Sequence, residues 1–97
     1  MTVVRHYLLH AIEGHDAALE TVLSEITDFF RAQPGALGLD LLRDCGNERR
    51  FLLIERWETI EAHGAAAQLL PQPLIKRLIA ALDGPPEGTY FDYLKQV

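Results

Sequence analysis

Cysteine is almost absent. Cys45 is the only one, so no internal disulfide can form and nothing calls for an oxidising compartment. Long apolar runs are missing as well, and none approaches the roughly 20 residues that span a bilayer. The opening Met-Thr-Val-Val-Arg-His lacks the charged-then-apolar layout of a secretory leader, and the expected location is the cytoplasm. A basic surplus is also lacking: the formal net charge is −5. The only paired basics, Arg49-Arg50 and Lys76-Arg77, lie far apart, so a groove that neutralises nucleic-acid phosphates is excluded. No glycine loop for phosphate is present, nor a fingerprint for nicotinamide or flavin. His6, His10, His15 and His63 show no metal-ligand spacing. His6 and His10 share one face of a strand but sit about 13 Å apart by rise per residue, too far to share an ion. Neither a metal nor a cofactor is expected.

What is present is the make-up of a globular protein. The 97 residues make one domain, 1–97, with 48% hydrophobic and 24% charged residues. A chain of this length buries only about two-thirds of the surface its unfolded form exposes, so its core is thin and an oligomer interface would help it.

The apolar pattern changes period along the chain. Val3 to His10 alternates Val4, His6, Leu8 and His10 against Val3, Arg5, Tyr7 and Leu9, with apolar residues in both sets. That is a strand covered on both faces. From about His15 to Ala32, Leu19, Val22, Leu23, Ile26, Phe29 and Phe30 fall at three- and four-residue steps, which predicts an amphipathic helix. Gln33-Pro34-Gly35 stops it. Ala36 to Arg43 reads as a second strand, Asp44 to Glu48 as a polar hairpin turn, and Arg50 to Trp57 as a third strand. Thr59 is a suitable N-cap for a helix over Ile60 to Leu70, broken at Pro71-Gln72-Pro73 and resumed over Leu74 to Leu82. Thr89 to Lys95 is the expected last strand.

The order βαββαβ predicts an α+β, ferredoxin-like sandwich with both helical regions on one face of a four-stranded antiparallel sheet. Val4, Leu8, Leu52 and Ile54 then fall on the uncovered face. An apolar face of that size is expected to be covered by a second copy of the chain, as a homodimer.

The stretch Phe51-Leu-Leu-Ile-Glu-Arg-Trp57-Glu-Thr resembles the antibiotic biosynthesis monooxygenase superfamily of dimeric α/β barrels. Its third strand commonly ends in Glu-x-Trp before a capped helix. The entry Pro34-Gly35-x-x-Gly38, the Leu-Leu-Arg-Asp stretch at 41–44 and the turn before Arg50 are similar to family features too. The resemblance implies a homodimer with its two sheets face to face, and one small cavity per subunit between sheet and helices. It also implies cofactor-free oxidation of quinol-like or polyketide aromatics, in which the substrate itself reduces dioxygen.

Four residues are candidates for that chemistry. Trp57 ends the third strand where the family tryptophan sits, as an aromatic wall or as plain core. Glu55, two residues earlier on the same face, can poise a proton or pair with an arginine at the rim. His63, about one turn into the next helix among Ala62, Gly64, Ala65, Ala66 and Ala67, is an acid–base group for a phenol if it faces a pocket, and idle if it faces solvent. Tyr7 matches a polar cleft position of haem-degrading relatives. Those relatives also need a histidine and a tryptophan in the second helical region, and Ala65 to Leu82 contains neither, so haem breakdown is not expected. The amide that some quinone-forming members carry four residues before the tryptophan is Leu53 here, and Leu69 to Pro73 replaces a stretch that often bears histidine. Three readings follow: a cofactor-independent monooxygenase on a small aromatic, a non-catalytic dimeric barrel holding a small apolar metabolite, or an isomerase or cyclase on the same scaffold.

Overall fold

The computed structural model describes residues 2–97. Seven elements follow one another: β1 (Val3–His10), α1 (Asp16–Arg31), β2 (Ala36–Asp44), β3 (Asn47–Trp57), α2 (Ile60–Gln68), α3 (Gln72–Ala81) and β4 (Glu87–Asp92). The strands form one sheet in the order β2-β3-β1-β4, and every neighbouring pair is antiparallel. This is the ferredoxin-like α+β arrangement.

Register decides which residues meet. Tyr7 stands across from Leu53, Leu9 from Phe51 and Val3 from Trp57, so one parity of β1 and β3 forms a continuous surface. The helices cover it. Val3, Leu9, Phe51, Leu53 and Trp57 are buried in one core with Leu19, Val22, Leu23, Ile26 and Phe30 of α1. The three- and four-residue spacing of the α1 residues is what places them together on the sheet side of that helix.

Among the described residues, nothing covers the opposite parity. Val4, His6, Leu8, Leu52 and Ile54 are half-buried only by their neighbours in the sheet. Leu42 and Phe91 on the same face are 47% and 51% exposed. The His6 and Phe91 rings meet edge to face at 5.5 Å.

Element ends differ from expectation in instructive ways. The hairpin turn shrinks to Cys45-Gly46, because Asp44 pairs with Asn47 and the Asp44 Oδ1 accepts from the Gly46 amide at 2.7 Å. β3 therefore starts at Asn47 rather than Arg50. The helical region is interrupted as expected but earlier, at residues 69–71: Pro73 already lies in the first turn of α3, where a missing amide hydrogen breaks nothing. The last strand runs over Glu87–Asp92, earlier than Thr89 to Lys95, because Asp92 already pairs with Val3 and β1 offers no further partner.

Two local features hold α2 against the end of β3. The Thr59 side chain accepts from the Ala62 amide at 3.0 Å, closing the N-terminus. Gly35 has φ +85°, and a side chain on it would put Cβ 2.6 Å from the Ala62 Cβ. The loop before β2 thus seats directly on α2, and the Glu58 amide donates to the Gly35 carbonyl at 2.8 Å.

Candidate active site

Glu55 and Trp57 share the helix-covered parity of β3, and both are fully buried. The indole Nε1 donates to the Glu55 Oε1 at 2.9 Å. Because Thr59 starts α2 only two residues after Trp57, the first turn of the helix brings His63 back over the sheet, where it is 4% exposed. Its ring meets the Trp57 indole edge to face, centroids 5.6 Å apart.

Both imidazole nitrogens are occupied by phenols. Nε2 lies 2.9 Å from the Tyr7 hydroxyl and Nδ1 2.5 Å from the Tyr90 hydroxyl. A neutral imidazole has one donor and one acceptor, so one tyrosine donates to the ring and the other accepts from it. The three side chains form an unbroken hydrogen-bonded row from β1 through α2 to β4. Phe30 closes the row from the α1 side, its ring 6.0 Å from that of Trp57.

Electrostatics assign the protons. Burial pushes the Glu55 carboxyl up to about 7, against the opposing pull of the Trp57 N–H and of Arg5. Burial, reinforced by the positive charge of Arg5, pushes His63 down to about 4. Tyr7 is raised, again chiefly by burial, with Arg5 opposing. The His63 Nε2 and Glu55 Oε1 are 3.7 Å apart, within ion-pair reach. With the acid raised and the base lowered, that approach is a neutral carboxyl beside a neutral imidazole between about pH 4 and pH 7.

The four residues expected from the sequence are therefore brought together, with two differences. His63 is not a near-neutral acid–base group, since burial keeps it uncharged; Glu55 is the group poised near pH 7. Glu55 does not pair with an arginine at a rim, because it lies inside and is held by Trp57. Four aromatic rings surround the imidazole, those of Tyr90, Trp57, Tyr7 and Phe30, with centroids 5.4, 5.6, 6.0 and 6.5 Å from its own. An apolar cleft of about 430 Å³ lies elsewhere, near the hairpin, lined by His6, Leu8, Leu42, Arg50, Phe51 and Leu52.

Two members were missed. Arg5 shares the parity of Val3, Tyr7 and Leu9, and a charge on the covered parity of a strand is the anomaly that could have flagged it. Tyr90 faces Arg5 across β1 and β4, a pairing no spacing in the sequence reveals. His6 and His10 lie on the uncovered parity, and Cys45 is exposed at the hairpin. Among the described residues, no group of three or more His, Cys, Asp or Glu side chains is arranged to hold a metal ion.

The sequence profile described as antibiotic biosynthesis monooxygenase matches residues 2–70. The chain belongs to the antibiotic biosynthesis monooxygenase family. Solved structures agree on the fold of this family member. SnoaB, a cofactor-independent oxygenase from Streptomyces nogalater, superposes with a TM-score of 0.76 at 24% identity, covering 99% of this chain and 94% of that one. PA3566 from Pseudomonas aeruginosa gives 0.83 at 23% identity, with 97% and 95% covered. Rv0793 from Mycobacterium tuberculosis gives 0.83 at 17% identity, with 99% and 98% covered. None of the curated proteins matches the sequence. No helix among the described residues is long and apolar enough to cross a membrane.

Proposed function

We propose that this family member is a cofactor-independent monooxygenase that oxidises a small quinol-like or polyketide aromatic with dioxygen, and that it works in the cytoplasm as a homodimer of a single-domain chain. The observation that carries the reading is the hydrogen-bonded row Tyr7–His63–Tyr90 beside a carboxyl poised near neutrality. Family membership supports it, as does the likeness in fold to an oxygenase that uses no cofactor.

In such a reaction a phenol bearing hydrogen at the carbon para to its hydroxyl combines with one dioxygen to give a quinone and one water. The substrate supplies all four electrons. The protein must take the phenolic proton and stabilise the charge that develops. Glu55 is the proton acceptor, since a base titrating near the working pH is the efficient one. His63 passes or orients protons between the two tyrosine hydroxyls by exchanging tautomers, which needs no charged imidazole. Trp57 supports Glu55 through its indole N–H and presents an aromatic edge. Entry runs past Arg5, Tyr7 and Tyr90, the members that are only half-buried.

The uncovered apolar face of β1 and β3 supports the dimer, because burying it against a second copy removes apolar area from water. A second reading, a non-catalytic dimeric barrel that holds a small apolar metabolite, is favoured by one observation: the hydrogen bonds of His63 are already satisfied inside a closed cluster. Oxygen uptake separates the two. With a panel of dihydroxynaphthalenes and anthrones, wild type is expected to consume dioxygen, and Glu55→Gln to lose about 100-fold or more, the usual weight of an acid–base group. Binding of one panel member without uptake of oxygen establishes the second reading instead.

A further inference from the structure

Arg5 stands directly across from Glu55 of β3 on one side and Tyr90 of β4 on the other, all three on the helix-covered face. An arginine and a glutamate facing each other on adjacent strands ordinarily close an ion pair. Here they do not. Glu55 gives one oxygen to Trp57, and its Oε2 is buried with no partner among the described residues. The Arg5 guanidinium lies over the rings of Tyr7 and Tyr90, at 4.7 and 4.3 Å from their centroids, and its Nε is likewise buried without an acceptor. Among the described residues Arg5 makes no ion pair at all.

The neighbours preserve this state. Both tyrosine hydroxyls are hydrogen-bonded to His63, and a neutral phenol gives the guanidinium no counter-charge. Gly88, across from Tyr7 on β4, leaves the guanidinium its room: a Cβ there would collide with it and come within 2.9 Å of the Tyr7 ring. A planar guanidinium that spends its faces on aromatic rings keeps its in-plane N–H donors free. Leaving a buried donor and a buried carboxyl oxygen both unmatched is unfavourable, and one occupant that accepts from the first and meets the second removes both penalties.

We infer that Arg5 anchors an anionic oxygen of the ligand, and that Glu55 Oε2 meets a hydroxyl on the same aromatic ring. The ligand class is a hydroxy-aromatic anion, with a carboxylate or an equally acidic oxygen beside a ring hydroxyl. This assignment rests on the cluster being the ligand site, and makes Arg5 the residue that selects for charge there.

The test is isothermal titration calorimetry at pH 7 with two probes that share a ring system, 1-hydroxy-2-naphthoate and neutral 1-naphthol. Wild type binds the naphthoate about 10- to 100-fold more tightly, the weight of a charge-assisted hydrogen bond in a sheltered site. Arg5→Gln loses that preference, and Arg5→Lys keeps part of it. Should Arg5→Gln lose its fold, Gly88→Ala displaces the guanidinium without removing the charge, and the preference falls in the same direction. Equal affinity of wild type for the two probes, or a preference that survives Arg5→Gln, overturns the role of Arg5 and leaves the ligand site standing. Binding of neither probe overturns the ligand site and this assignment with it.

Discussion

Replacing Glu55 by glutamine isolates the electrostatic state of the cluster. The side chain is fully buried and its carboxyl titrates at about 7, against an ordinary value of 4.5. A group whose folded pKa exceeds its unfolded one contributes stability that is complete below the unfolded value and is lost as pH rises through the folded value. Each unit is worth about 1.4 kcal/mol, so wild type relative to Glu55→Gln should lose about 3 kcal/mol between pH 4.5 and pH 7. His63 works in the opposite direction. Its pKa falls from 6.5 to about 4, so its contribution is present above pH 6.5 and lost as pH falls towards 4. In wild type the two slopes largely cancel between pH 4.5 and 6.5. In Glu55→Gln only the histidine slope remains, and the variant gains about 3 kcal/mol as pH rises from 4 to 6.5. Exposed carboxylates held low by partners, Glu25 beside Arg77 and Asp44 at the hairpin, add their own loss at acid pH to both proteins and drop out of the difference. The assay is urea denaturation at one protein concentration, followed by the fluorescence of Trp57, the only tryptophan. A difference curve that is flat from pH 4.5 to 7 refutes the buried neutral carboxyl, and one that is flat there and falls away below pH 4.5 means Glu55 is ionised and paired.

Other consequences are more local. Ile54→Asp places a carboxylate in the middle of the uncovered sheet face, across from His6 and Asp40, and should convert a dimer to a monomer in sedimentation equilibrium without unfolding it. An unchanged mass would remove the open face from the interface. Thr59→Ala deletes the cap on α2 and should lower stability by about 1 kcal/mol, read as a fall of about 4–8 °C in Tm. The same change should also loosen the seat of His63, lengthening its bond to Tyr7; imidazole nitrogen chemical shifts identical to wild type would contradict that link.

The element order was legible because the hydrophobic period switches cleanly between alternation and the three- and four-residue step. Strand parity placed Glu55 and Trp57 side by side, and the Thr59 cap placed His63 one turn later. The remainder depended on long-range register. Tyr7 and His63 are 56 residues apart and His63 and Tyr90 are 27 apart, and nothing local marks either contact. The alternation of β1 already set Arg5 beside Val3, Tyr7 and Leu9, but its partners across the sheet, Glu55 and Tyr90, follow from register, which no spacing marks. The pKa of His63 was misjudged because burial is a property of the packed core: alanine neighbours imply space, whereas Phe30, Trp57, Tyr7 and Tyr90 fill it. The bounds of the last strand were set by where β1 begins, which composition does not reveal.

The oxygenase reading is tested most directly with isotopically labelled dioxygen and a quinol-like aromatic, across pH, in wild type, Glu55→Gln and His63→Ala. The account predicts that wild type transfers one labelled atom to the organic product and the other to water, at a rate that rises with pH through about 7 as Glu55 ionises. Both variants should be slower, and Glu55→Gln should show no midpoint near 7. Product free of label, or labelled product formed equally fast by all three proteins, would contradict it.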